Sequence, residues 1–275
     1  MTGADLTAPS PLLAIAHGSR DPRAAATTAD LLDRVRERAA AHGFGRVPAA
    51  VAYLGHAAPS PAQALGALRG GGAEEVVALP LLLTDAYHSK IDIPAVLASA
   101  RGNLPGPVRG PSPARAPGLR IRYGQPLGPH PLLIAAMERR LRQAGVEPGD
   151  PRTAVILAAA GSADPAATAA IHRLARDWQA LRGWYEVVPA FASAASPAPA
   201  QAVKMLRDLG APRIAVATYL LAPGVFADTV RDTCLAAGAA AVSGVLGPAP
   251  ELADLVMRRY AAASAGVGVP QARSA

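Results

Sequence analysis

Hydrophobic positions along the chain fall in short runs, and each run is followed by a longer stretch in which polar and apolar residues mix. The apolar run Leu12–Ala16 leads into an alanine-rich stretch at 23–42, and the run at 154–159 leads into a similar stretch at 166–181. Short apolar runs are typical of strands that are buried on both faces, whereas the longer stretches favour helices. This alternation predicts βαβ units and therefore an α/β fold with a mainly parallel sheet covered by helices on both faces.

The same order of elements occurs twice. Second strands are predicted at 51–54 and 187–191, and third strands are predicted at 75–83 and 213–221. Since the pattern of the first half returns in the second half, we interpret one half as a duplicate of the other.

Matching motifs support the duplication. The letters PAQA open a second helix at residues 61–64 and again at 199–202. The letters LGP occur late in each half, at 127–129 and 246–248, and lead into a terminal helix. The repeat predicts two similar domains of ordinary size.

The predicted domains are an N-terminal domain at 11–146, which carries the candidate active-site residues, and a C-terminal degenerate repeat of it at 151–262. The segment at 103–118 is rich in Pro and Gly and has no counterpart in the second half. We interpret it as a loop insertion, either a mobile lid or a solvated linker.

The amino-acid composition indicates which class of binding partner to expect. The formal charge is +7 and the pI is near 10.2, which favours an anionic partner. The Arg residues are scattered without aromatic interleaving, so an acidic small molecule is expected rather than a nucleic acid. The single cysteine excludes an intramolecular disulfide, and no apolar run is long enough to span a bilayer. With no signal peptide at the N-terminus, the sequence predicts a cytoplasmic protein without a membrane partner.

Two histidines distinguish the first copy from the second. The first copy has His17 where the second has Ala160, and it has His88 where the second has Phe226. Both positions follow predicted strands, and ligands of open parallel sheets bind outside the carboxyl ends of the strands. Imidazole binds divalent metal ions and takes up protons near neutral pH. We therefore expect the first half to be active and the second to complete the cleft as a degenerate partner.

The remaining histidines are weaker candidates. His56 follows the second strand at the same edge of the sheet, so a functional role is open for it. His42 and His130 lie near helix ends and are expected to be structural, and His172 is expected on the surface of a helix.

Three motifs stand out in the first half of the chain: AHGSRDP at 16–22, PLLL at 80–83 and HSKIDIP at 88–94. Together they resemble a known family, the class II chelatases of the CbiX and SirB type. The resemblance spans nearly the whole chain in the long form, with both halves in one polypeptide. It implies two chelatase-like domains that hold a tetrapyrrole between them.

The activity implied by the resemblance is insertion of a divalent metal into sirohydrochlorin, which would make the protein a lyase. Fe²⁺ insertion for sirohaem synthesis, as in a sirohydrochlorin ferrochelatase, is favoured, and cobalt insertion on the cobalamin route is the alternative. The metal would be a substrate, and no permanently bound cofactor is expected. By the same likeness, His17 and His88 would bind the metal and help to remove the pyrrole protons.

Further residues are expected to contact the substrate. Family members often carry an acidic residue after the second strand, where this chain has Gly55, so His56 is considered as its substitute. Cations beside the two histidines are expected to meet the carboxylates of sirohydrochlorin. The expected substrate contacts are Ser19, Arg20, His56 and Lys90.

Other functions remain open at this point. A tetrapyrrole or metal carrier without catalytic activity could use the same cleft. A phosphoryl enzyme could use His17-Gly18-Ser19 at a helix N-terminus, although no Gly-rich phosphate loop supports it. The duplication supplies both sides of a cleft, so a monomer is expected.

Overall fold

A computed structural model of the protein describes residues 9–84, 92–102 and 118–266. The chain forms two four-stranded sheets whose strands are all parallel, and helices cover both faces of each sheet. The predicted α/β class with two similar domains is therefore confirmed. In the described part of the chain, no helix combines the length and the apolar content that a membrane crossing needs.

The first sheet has the strand order β2-β1-β3-β4. Its strands are β1 (Leu12–Ala16), β2 (Ala49–Tyr53), β3 (Glu75–Pro80) and β4 (Arg120–Tyr123). The helices of this half are α1 (Pro22–Arg38), α2 (Pro61–Gly70), α3 (Ile93–Gly102) and α4 (Pro131–Gln143).

The second sheet repeats this topology with the order β6-β5-β7-β8. Its strands are β5 (Thr153–Ala159), β6 (Glu186–Phe191), β7 (Arg213–Tyr219) and β8 (Ala241–Val242). The helices of this half are α5 (Pro165–Leu181), α6 (Pro199–Asp208), α7 (Val225–Ala236) and α8 (Pro250–Ser264).

Several predicted boundaries were too long. The third strands end at Pro80 and Tyr219, because the apolar residues that follow them line a cleft instead of continuing the ladder. The stretch predicted as a helix to residue 42 ends at Arg38, and His42 lies in a short 3₁₀ turn closed by left-handed Gly43.

The terminal helix of each half packs on the sheet of the other half. Helix α4 packs against β7, and helix α8 packs against α1, β3 and β4. The Tyr260 hydroxyl on α8 donates a hydrogen bond of 2.6 Å to the carbonyl of Ser10, and Arg140 on α4 donates one of 2.8 Å to the carbonyl of Leu246. One apolar core therefore runs through both halves. The boundaries 11–146 and 151–262 stay a prediction, since each packed unit includes a helix of the other half.

A buried carboxylate fixes α4 to the second half. Glu138 is 3% exposed and accepts hydrogen bonds from Trp178 Nε1 at 3.1 Å and from Arg182 at 2.7 and 2.8 Å. The same carboxylate raises the pKa of Arg182. A buried acid is tolerated in a protein interior when its lone pairs are satisfied in this way.

Replacing Glu138 with glutamine is expected to lower the free energy of unfolding by about 2 kcal/mol, because the bonds from Trp178 and Arg182 lose their charged acceptor. Chemical denaturation measures the loss. The control is Glu251→Gln, whose side chain is 18% exposed against 4% for Glu138 and pairs with Arg139, and its loss should stay within about 1 kcal/mol. Equal losses in the two variants would contradict the anchoring role of Glu138.

Candidate active site

A cleft of about 590 Å³ lies between the two halves, at the carboxyl ends of the strands. Its volume falls within the range of roughly 300–1,000 Å³ that is usual for small-molecule sites. A smaller cavity of about 300 Å³ shares part of the same wall. Side chains of both halves line the cleft, among them His17, Ser19, Leu83, Asp164, Phe191, Tyr219, Leu221 and Phe226.

The loop after β1 places His17 on the wall of the cleft. Gly18 has φ +90°, and a Cβ atom there would lie 1.8 Å from the carbonyl oxygen of Gly55. The carbonyl of His17 accepts a hydrogen bond of 3.2 Å from the Gly55 amide. The backbone is therefore fixed on both sides of His17, while the residue itself is exposed at the cleft.

The loop after β5 has the same backbone arrangement. Gly161 has φ +92°, and a Cβ atom there would lie 1.8 Å from the carbonyl oxygen of Ser193. The carbonyl of Ala160 accepts a hydrogen bond of 2.9 Å from the Ser193 amide. The two loops thus have the same backbone structure. They differ in the side chain, which is an imidazole at His17 and a methyl group at Ala160.

Ser19 has a structural role that its counterpart shares. Its hydroxyl oxygen accepts a hydrogen bond of 3.1 Å from the Asp21 amide, as the Ser162 hydroxyl does from the Asp164 amide at 3.1 Å. Each aspartate in turn caps the helix that follows. The turn accounts for a serine in both copies, and a contact between Ser19 and substrate stays a prediction.

Two of the expected substrate contacts are not among the residues that line the cleft. Arg20 and His56 are exposed, and neither belongs to the lining residues of either described cavity. His56 adopts φ +62° and Ala194, at the corresponding turn, adopts φ +55°, so this left-handed conformation belongs to the turn and not to the imidazole. Roles for Arg20 and His56 in substrate binding stay predictions.

The remaining predicted site residues lie outside the described residues. His88 and Lys90 belong to the stretch 85–91, and the predicted insertion falls almost wholly in 103–117. Convergence of His17 and His88 on one metal ion therefore stays a prediction.

The described walls of the cleft carry little charge. Their lining includes His17 and the carboxylate of Asp164 but no Lys or Arg. Within residues 9–84, 92–102 and 118–266, no group of three His, Cys, Asp or Glu side chains is arranged to hold a metal ion. A metal ion bound at His17 would take its other ligands from outside these ranges, from water or from a bound molecule.

A hydrogen bond between two residues that line the cleft joins the two halves, and the sequence did not predict it. The Tyr219 hydroxyl donates a hydrogen bond of 2.8 Å to the carbonyl of Leu83. Burial raises the pKa of Tyr219 well above its usual range, so the hydroxyl stays protonated as a donor. This bond ties the end of β7 to the chain that follows β3.

Three other histidines occupy structural positions. His42 Nε2 lies 3.1 Å from Asp254 Oδ1, and the ring of His130 accepts a hydrogen bond that caps the first turn of α4. Burial lowers the pKa of His130, which favours the neutral acceptor form. His172 is half-buried with its ring 5.9 Å from that of Phe191, so its expected surface position was wrong.

The CbiX family model matches residues 11–144 and 154–263, one segment for each half of the chain. The chain belongs to the CbiX family. This match confirms the resemblance that the motifs indicated, and its two segments agree with the duplicated architecture of the CbiX-family fold described above.

Named relatives of this CbiX-family chain include two enzymes from Priestia megaterium. A sirohydrochlorin cobaltochelatase is 27% identical over 224 residues, which are 80% of this chain and 67% of the relative. A sirohydrochlorin ferrochelatase is 24% identical over 222 residues, with 80% and 76% covered. The solved structure of SirB from Bacillus subtilis with Fe³⁺ has a TM-score of 0.76 and 24% identity over 94% of this chain and 97% of that one, which shows the shared fold.

Proposed function

We propose that the chain inserts a divalent metal ion into sirohydrochlorin. The observation that carries the proposal is the match to the CbiX family over both halves of the chain. The cleft lies between these two matched halves, and His17 lines its wall. The relatives from Priestia megaterium, named as sirohydrochlorin chelatases, support the same substrate. The metal ion is a substrate in this reaction, and the proposal requires no permanently bound cofactor.

The chemistry sets two tasks for the protein. Two N–H bonds of the macrocycle break as the metal forms bonds to the ring nitrogens, and two protons leave. The metal ion must also lose water before it reaches the ring. A neutral imidazole can ligate the ion and can accept a proton, so His17 suits both tasks, and we propose His88 as its partner.

The cleft suits a flat macrocycle with carboxylates around its edge. The walls contributed by Leu83, Leu221 and Phe226 offer apolar surface for the ring faces. Since the described walls carry no Lys or Arg, the carboxylates would point toward the rim and solvent. Arg20 and Lys90 are the proposed contacts there.

Two finer assignments complete the proposal. Fe²⁺ is proposed as the physiological metal, as the resemblance of the motifs favours. Co²⁺ is the alternative, because relatives of both kinds match the chain at similar identity. We also propose that the chain acts as a monomer, since one polypeptide supplies both walls of the cleft.

An anaerobic insertion assay tests the activity. Purified protein is mixed with an excess of sirohydrochlorin and with Fe²⁺, Co²⁺ or Ni²⁺, and metallation is followed by absorbance against protein-free reactions. We expect many metallated rings per chain, formed fastest with Fe²⁺. A yield that stops at one ring per chain would indicate a carrier, and rates equal to the protein-free reactions would contradict the proposal.

A further inference from the structure

An ion pair at the rim of the cleft joins the two halves. Arg23, in the first turn of α1, donates a hydrogen bond from Nη2 to Asp228 Oδ2 at 2.5 Å, and Asp228 lies in the first turn of α7. Their sequence neighbours Ala24 and Ala227 line the adjoining cavities. The pair therefore bridges the two walls where the cleft meets solvent.

The two carboxylates hold different edges of the guanidinium group. Asp21 accepts from Nε of Arg23 at 3.0 Å and from Nη2 at 2.5 Å. Asp228 accepts from Nη2 at 2.5 Å and from Nη1 at 3.4 Å. Asp21 belongs to the same half as Arg23, so it orients the guanidinium and leaves the Nη1/Nη2 edge directed at the other half. This edge has the geometry that binds a carboxylate with two hydrogen bonds.

Asp228 is a partner that another carboxylate can replace. The side chains of Arg23 and Asp228 are 52% and 33% exposed, and exposed ion pairs contribute little to stability. Asp228 also lies 3.2 Å from Nη1 of Arg231, so it keeps a cationic partner when Arg23 turns to another anion.

The two copies differ at both positions of the pair. The second copy has Ala166 where the first has Arg23, and the first has Lys90 where the second has Asp228. The duplicated fold therefore does not require the pair. This pattern matches the difference between His17 and Ala160, and the comparison of copies could have singled out Arg23 as it did His17.

We propose that Arg23 binds a peripheral carboxylate of the tetrapyrrole, and that Asp228 occupies the Nη1/Nη2 edge when the cleft is empty. This inference rests on the proposed function, since it takes sirohydrochlorin as the ligand. The exchange replaces one carboxylate by another on a guanidinium that Asp21 already orients. Arg23 would thus supply the cation that the described cleft walls lack.

Titration of the full chain with metal-free sirohydrochlorin tests the exchange. Arg23→Gln is expected to weaken binding about tenfold, since a two-point charged contact is lost. Asp228→Asn is expected to tighten binding about threefold, because the competing carboxylate is removed. An ion pair that only supports the fold would shift binding in the same direction in both variants, and that result would overturn the proposal.

A charge-matched control and a double variant separate exchange from general electrostatic attraction. Asp232→Asn removes the same charge from α7 at a residue that contacts Arg231, and it should change binding less than Asp228→Asn does. In the Arg23→Gln background, Asp228→Asn should have no further effect, because the Arg23 guanidinium, for which Asp228 and the substrate carboxylate compete, is absent. Additive effects, or equal effects of Asp228→Asn and Asp232→Asn, would overturn the exchange.

The titration also keeps the two proposals distinguishable. If the wild-type chain does not bind sirohydrochlorin, the proposed function fails and the role of Arg23 fails with it. If the wild-type chain binds and metallates sirohydrochlorin but the double variant shows additive effects, only the role of Arg23 is overturned. Circular dichroism of each variant checks that the fold is retained.

Discussion

Replacing His17 with alanine is expected to reduce the rate of metal insertion by at least about a hundredfold, which is the contribution that a positioned acid–base group typically makes. The imidazole would no longer be present to ligate the metal and to accept a ring proton. The fold should be unaffected, because Ala160 occupies the equivalent backbone position in the second half without strain. The loss should therefore appear in kcat while the thermal melting temperature stays near that of the wild type.

A second histidine variant serves as the control for His17→Ala. His42→Gln removes an imidazole beyond the far end of α1, a helix about 25 Å long that begins at the cleft. Its insertion rate should equal that of the wild type. A His17→Ala protein that inserts metal as fast as His42→Gln would show that the candidate site is wrong.

Replacing Gly18 with alanine is expected to lower the free energy of unfolding by more than about 3 kcal/mol, since two costs combine. A φ of +90° is strained for any residue with a side chain, and the new Cβ atom would lie 1.8 Å from the carbonyl oxygen of Gly55. Because the opposing atom belongs to the backbone, no rotamer change relieves the overlap. Urea denaturation measures the loss, or soluble yield where the variant does not fold.

Alanine substitutions at two other glycines provide comparisons for the stability loss expected of Gly18→Ala. Gly161→Ala meets the same overlap with Ser193 in the second half, so a similar loss of stability is expected. Gly43 has φ +79° with no heavy atom within 4 Å of its added Cβ, so Gly43→Ala carries the backbone strain alone, about 1 kcal/mol. If Gly18→Ala is no less stable than Gly43→Ala, the close approach of the two loops is not as described.

The central strands could be predicted from the sequence because a strand that is buried on both faces consists of consecutive apolar residues. LLAIA in β1 and TAVILAA in β5 are buried throughout, and each lies between two other strands. The edge strands β4 and β8 gave no such signal, since β4 is four residues with two arginines and β8 is two residues. The third strands were predicted too long because Leu81–Leu83 are apolar for a different reason, as part of the cleft wall.

The candidate site was predictable where topology alone decides position. His17 follows a central parallel strand, and such strands end at a common edge, so its place on the cleft wall followed from sequence. Arg20 and His56 share that edge but are not among the residues that line the described cavities, and the turn conformation that decides this is not encoded in strand periodicity. The comparison of copies could have singled out Arg23 against Ala166, but its ion pair with Asp228, 205 residues away in sequence, is visible only in the structure.

The placement of α4 and α8 bears on how the chain is put together. An isolated first half would leave β3 and β4 without α8, and an isolated second half would leave β7 without α4, although α6 and α7 would still pack against it. Either half alone could repair this defect by taking the terminal helix of another copy. The duplicated polypeptide has, in architectural terms, the arrangement of a swapped dimer whose two subunits are joined end to end, with a histidine in the β1 loop of one and an alanine in the equivalent loop of the other.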